Sequence, residues 1–122
     1  MSEQPRLVYD DDCGFCTWCA DWAVRNGDFE PVGFAELTPD EQHRLPDEYE
    51  DCVHLIADET VYSCGKATEE VLLRMGKLPT EPFTFLNGFA DYERLREDAY
   101  RFVADHRDQL GKVVSADAPI RR

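Results

Sequence analysis

The chain predicts an α/β fold, a small mixed β-sheet flanked by helices and followed by a long C-terminal helix. Three observations predict it. The apolar run Leu7-Val8-Tyr9 passes, through an aspartate run, into a segment whose large apolar residues recur at helical spacing. Residues 52–57 and 60–64 are β-prone runs separated by Asp58-Glu59, the spacing of a β-hairpin. Residues 91–110 form the longest helically periodic stretch in the chain.

Taken in order, residues 7–9 make a short strand that ends at Asp10-Asp11-Asp12. From Phe15 to about Arg25 the stripe Phe15, Trp18, Cys19, Trp22 and Ala23 follows the i, i+3, i+4, i+7, i+8 pattern of an amphipathic helix, and Asn26-Gly27 stops it. Pro31-Val32-Gly33-Phe34 is a second strand, placed at an edge because Pro31 cannot donate to a ladder. Thr38 before Pro39 reads as a capping residue and a first helical position, so a short helix runs to about Arg44, and residues 45–51 make an acidic loop. After the hairpin, residues 65–75 are helical with Ala67, Val71, Leu72 and Met75 apolar and Gly76 as the cap. Residues 77–88, with Pro79 and Pro82, are irregular. In the final helix Tyr92, Leu95, Ala99, Phe102, Val103, His106 and Leu110 share a stripe, and the tail 112–122 is loose. The reading is of one domain over 1–122 with its core at about 7–111.

The 122 residues carry 26 acidic against 13 basic side chains, a net charge of −13, which opposes nucleic acid as a partner. An acidic surface with three lysines suits solubility in high salt, where self-repulsion is screened, and suggests a halophilic setting. The polar N-terminus and the absence of a long apolar run imply no membrane insertion and a cytoplasmic location. Five cysteines, an odd number, argue there for catalytic or metal-binding use over a disulfide framework.

The chemistry centres on Cys13-Gly14-Phe15-Cys16, at the predicted strand-to-helix junction. A cysteine at a helix N-terminus faces free backbone N–H groups and the positive end of the dipole, both of which favour thiolate. Cys13 is the expected nucleophile and Cys16, one turn on, the resolving thiol. Asp10, Asp11 and Asp12 oppose the helix by placing like charge beside the incipient thiolate, so the expected pair is a reductant more than a strong oxidant. Asp12 also serves as a candidate N-cap. Asp10, Asp12, Gly14 and Phe15 are the supporting residues of the site. Cys19 reads as a core cysteine on the helix stripe, or else a third thiol or a metal ligand. A two-residue turn at Asp58-Glu59 sets Val53 and not Cys52 opposite Cys64, so Cys52 and Cys64 would face opposite sides of the hairpin, and no direct bridge is expected. They stand with Cys19 as candidate accessory thiols. His54 and His106 read as surface and rim residues, and His43 as exposed.

The stretch from Tyr9 to Cys16 resembles the opening of the DCC family of predicted thiol-disulfide oxidoreductases, a hydrophobic strand followed by an Asp-Gly-Asp-Cys-x-x-Cys motif, with Asp11 where the family has glycine. Residues 53–73 are similar to its hairpin-to-helix passage, and residues 100–107 to its Tyr-Arg-x-Val-Ala-x-x-Arg pattern. The resemblance, over about residues 7–111, implies a thioredoxin-like fold and disulfide reduction or exchange by the dithiol. In such a fold the hairpin base lies near the dithiol. Thioredoxin-like proteins usually carry a cis-proline before the facing strand, yet the strand here starts at Cys52-Val53 and the nearest proline is Pro46.

The expected function is thus thiol-disulfide exchange without an organic cofactor. Its partners would be a disulfide-containing protein or a small thiol, with an upstream thiol reductase as electron source. Two alternatives stay open. Cys13, Cys16, Cys19 and one of Cys52 or Cys64 would ligate zinc or an iron–sulfur cluster, although Ala23 stands where a ferredoxin-like run wants its fourth cysteine. Or the dithiol is non-catalytic, in a domain used for interaction.

Overall fold

The structure is a computed structural model and describes residues 4–76 and 90–116. Its four described strands are β1 (Arg6–Tyr9), β2 (Glu30–Gly33), β3 (His54–Ala57) and β4 (Thr60–Ser63), in the order β2-β1-β3-β4. β1 and β2 are parallel, and β3 is antiparallel to both β1 and β4, so the sheet is mixed. Helix α1 (Gly14–Asn26) makes the crossover between the parallel strands, α2 (Pro39–Arg44) follows β2, and α3 (Cys64–Arg74) leaves the hairpin. The expected α/β fold, a small mixed sheet flanked by helices with a C-terminal helix, is the fold observed, and it is consistent with a thioredoxin-like arrangement. The irregular stretch expected over 77–88 and residues 117–122 of the tail lie outside the described residues.

Strand alternation sorts the core into two layers. Leu7, Tyr9 and Leu55 face Ala20, Ala23 and Val24 of α1 and Ala67 and Val71 of α3. Val8 and Ile56 face the other way, onto Val32 and Leu45, with Phe34 and Tyr49 packed against them. Pro31 does lie on the edge strand β2. Thr38 caps α2 reciprocally: its hydroxyl accepts the Glu41 N–H while the Glu41 carboxylate accepts the Thr38 N–H. The hairpin turns at Asp58 in the left-handed region, φ 53°, which aspartate tolerates better than most residues.

Three expectations change. In α1 the sheet-facing residues are Thr17, Ala20, Ala23 and Val24, while Trp18 and Trp22 are 37% and 39% exposed. Small residues let the helix approach the sheet closely, and the large apolar stripe turns instead toward a cleft. The long C-terminal helix is two, α4 (Ala90–Asp105) and α5 (Arg107–Leu110), broken at His106, and Leu95 and Phe102 on its stripe are exposed. The tail from Lys112 is not loose over 112–116: the Lys112, Val113 and Val114 N–H groups bond back onto Gln109 and Leu110, and Ala116 N–H reaches the Gly14 carbonyl at 3.0 Å.

His54 is buried and not at the surface, with one ring nitrogen 2.7 Å from the Tyr49 carbonyl and the other 2.8 Å from the Ser63 hydroxyl. The carbonyl can only accept, so Nε2 carries the proton and Nδ1 accepts from Ser63. Burial lowers the His54 pKa from its ordinary 6.5. A depressed folded value means that the unfolded chain takes up the proton first as pH falls, so this contribution is complete above about pH 6.5 and is lost on acidification. The expected result is that the stability gap between wild type and His54→Gln narrows from pH 7 to pH 5, read from urea midpoints.

Candidate functional site: a dithiol at the end of the sheet

β1 delivers the chain to the C-terminal end of the sheet, and a tight turn redirects it into α1. The turn is closed by the Cys13 N–H on the Asp10 carbonyl at 3.2 Å and by the Asp12 N–H on Asp10 Oδ1 at 3.0 Å. Asp11, the departure from glycine, needs no left-handed backbone, since among the described non-glycine residues only Asp58 and Cys64 have positive φ. Its carboxylate instead crosses to the turn after β2 and accepts the Ala35 N–H at 3.0 Å. It lies so close to Gly33 that a Cβ there would stand 2.5 Å from Asp11 Oδ2.

Cys13, and not the expected candidate Asp12, is the N-cap of α1, with extended backbone (φ −110°, ψ 115°). Its sulfur accepts the Cys16 N–H at 3.2 Å, and its carbonyl accepts both the N–H and the hydroxyl of buried Thr17 at 2.9 Å. One of the orphan donors of the helix thus points at the sulfur itself. Cys16, one turn on, is partly buried, and that burial, with a hydrogen bond to Cys13, pushes its thiol up to about 12. Arg107 pulls in the opposite direction. Its Nη1 lies 3.6 Å from Cys16 Sγ and 3.8 Å from Asp10 Oδ2, and its Nε donates to the Ala104 carbonyl at 3.0 Å. Arg107 closes the Tyr-Arg-x-Val-Ala-x-x-Arg pattern by which residues 100–107 resemble the family, but no spacing links it to the dithiol; the His106 break brings it to Cys16 from 91 residues away.

Phe15, Cys16, Trp18, Cys19 and Trp22 line one wall of an apolar cleft whose other walls are α3 and α4. Cys19 is half-buried there, and burial raises its thiol to about 11. Tyr100 closes the inner end, its hydroxyl accepting the Val53 N–H at 2.9 Å. The backbone donor just ahead of β3 is therefore engaged by a tyrosine, at the place where the resemblance would have put a cis-proline.

Cys52 and Cys64 overturn an expectation. They form a disulfide, with their Cα atoms 4.9 Å apart. The register is the expected one, since His54 pairs with Ser63 and the Cys64 N–H bonds the Val53 carbonyl at 2.9 Å. What alternation could not supply is φ 57° at Cys64, which leaves the strand for α3 and swings the side chain across to Cys52. As a bridge, the two are not free accessory thiols, and the fourth ligand of the cysteine–metal reading is engaged. Among the described residues the group whose ligand atoms converge is Asp10, Asp11 and Asp12, not the cysteines.

Gly14 has a steric reason to be glycine. A Cβ there would collide with the Ser115 hydroxyl, because 115–116 lie directly over the first turn of α1. Gly14→Ala is expected to turn the Ser115 hydroxyl aside and press on its Cβ, read as a few-fold faster amide exchange at Ala116 with the α1 amides unchanged.

A dithiol capping the crossover helix of a small mixed sheet is consistent with a thioredoxin-like arrangement. Residues 7–113 match the DCC1-like thiol-disulfide oxidoreductases, and the chain belongs to that family. No match was found among curated proteins or among solved structures. Among the described residues, no helix is long and apolar enough to cross a membrane.

Proposed function

We propose that the protein exchanges disulfides through Cys13, with Cys16 resolving the mixed disulfide. The observation that carries this reading is the asymmetry of the pair. Cys13 Sγ receives the Cys16 backbone N–H, while Cys16 is held as a thiol by burial. Cys13 as thiolate attacks one sulfur of a substrate disulfide and expels the other as thiolate. Cys16 then loses its proton to the departing substrate sulfur and attacks Cys13 Sγ, so two electrons pass to the substrate and Cys13–Cys16 closes. The substrates are a disulfide-bearing protein or a small disulfide, and an upstream thiol reductase returns the electrons. Asp10 and Asp12 set the charge beside Cys13, while Gly14 and Phe15 shape the approach. The acidic surface suits work in high salt. Titration of Cys13 and Cys16 against glutathione, at low and high salt, tests this reading: a Cys13–Cys16 disulfide that forms at a defined poise supports it, and failure to form at any poise overturns it.

Arg107 is a positioning residue in this scheme, holding a cation against the sulfur that must become the second nucleophile. A charge-assisted hydrogen bond contributes about 1.5–3 kcal/mol, so its loss slows resolution about tenfold or more. Arg107→Met is expected to prolong the mixed disulfide accordingly in single-turnover quench experiments, with Arg107→Lys recovering part of the rate.

A further inference from the structure

We propose that Cys52–Cys64 is a second redox pair, which exchanges electrons with Cys13 and Cys16 inside the same molecule; the proposal rests on the function proposed above. Two observations favour this over a purely structural crosslink. The first is placement. β1 and β3 pair as far as Val8 and His54, and just beyond that pairing Asp10, whose carbonyl accepts the Cys13 N–H, and Cys52 line the same cleft. Cys52 and Cys16 line the same cleft. The second is charge. Arg101 Nη2 lies 3.8 Å from Cys52 Sγ, as Arg107 Nη1 lies 3.6 Å from Cys16 Sγ. The C-terminal helical segment thus sets one guanidinium against a sulfur of each pair, and a cation beside sulfur favours thiolate, which an inert bridge has no use for.

The chemistry balances without an outside reagent. Cys13 thiolate attacks Cys52 Sγ, the Cys52–Cys64 bond breaks, and Cys64 leaves as thiolate. Cys16 attacks Cys13 Sγ of the Cys13–Cys52 mixed disulfide, and Cys52 leaves as thiolate beside Arg101. The protons of Cys13 and Cys16 end on Cys52 and Cys64. One pair is oxidised by two electrons and the other reduced by two, and the transfer runs in reverse when the outer partner is the oxidant. The hairpin base then acts as a store of two reducing equivalents beside the dithiol.

The test is the rate at which dilute dithiothreitol reduces Cys52–Cys64, followed by timed alkylation and peptide mass mapping in wild type, Cys13→Ser and Cys16→Ser. Serine is a favoured N-cap, so Cys13→Ser retains the start of α1, and its urea midpoint checks the fold. The expected result is reduction at least tenfold slower in Cys13→Ser than in wild type, with a Cys13–Cys52 peptide accumulating in Cys16→Ser. Equal rates in wild type and Cys13→Ser, within twofold, overturn the relay. If Cys13–Cys16 nevertheless forms in glutathione buffer, only the relay fails; if it does not, the function proposed above fails first.

Discussion

Cys13→Ser is expected to reduce disulfide exchange to the uncatalysed background while leaving the protein folded. The loss is complete because oxygen in place of sulfur removes the bond-forming atom, and Cys16, held up at about 12 by burial, is a poor substitute at neutral pH. The fold survives because the structural part of the position is a cap. A serine hydroxyl accepts the Cys16 N–H as the sulfur does at 3.2 Å, and the Thr17 bonds go to the Cys13 backbone carbonyl, which is unaltered. Cys16→Ser separates the two roles. Attack by Cys13 still occurs but nothing releases the product, so substrate remains covalently attached through a mixed disulfide. A turnover assay with a fluorogenic disulfide, paired with intact-mass measurement, reads both. Substantial turnover by Cys13→Ser would move the nucleophile to Cys16 or Cys19.

The contrast between cap and nucleophile bears on what could be read ahead of the structure. The dithiol was legible because its signals are local: an apolar run, an aspartate stop and helical spacing, all within about twenty residues. The Thr38–Glu41 cap and the Asp58 turn were legible for the same reason. Hydrophobicity misled where size and proximity compete. Trp18 and Trp22 dominate the α1 pattern, yet Ala20 and Ala23 are what a helix needs to lie close on a sheet. The disulfide was missed through one dihedral. Alternation correctly paired Val53 with Cys64, and only the left-handed turn at Cys64 reverses which way its sulfur points. Arg107 belongs to a third kind. Its partners are Asp10 and Cys16, and no spacing rule connects residues that far apart across a helix break.

Among the described residues, Glu69→Ala is expected to be the most costly removal of a negative charge. Glu69 lies on α3 with 4% of its side chain exposed, and it accepts from the Tyr92 hydroxyl at 2.7 Å and from Arg96 at 3.0 Å, both on α4. Lys66 approaches it at 3.4 Å. Burial, with the bond to Glu69, pushes the Tyr92 hydroxyl up to about 12, so it stays protonated and donates. Arg96 also meets Glu97 at 2.8 Å, and Glu97 accepts the Gly65 N–H at 2.9 Å, completing a clamp from the first turn of α3 to α4. Removing the carboxylate leaves the mostly buried Arg96 guanidinium to Glu97 and takes the Glu69 acceptor from the Tyr92 hydroxyl, and losing a hydrogen bond to a charged group typically costs about 1.5–3 kcal/mol. For a domain of this size that is a fall of roughly 5–10 °C in Tm. Glu69→Gln, which keeps an acceptor for Tyr92 but loses the charge facing Arg96, is expected to fall between the two. Relief of one negative charge in a chain of net −13 acts the other way, but exposed repulsion is screened by salt and the clamp is not. Calorimetry at two salt concentrations therefore separates them: the Glu69→Ala deficit should persist at high salt, and a melting point within about 2 °C of wild type there would show that α3 and α4 are held by apolar packing alone.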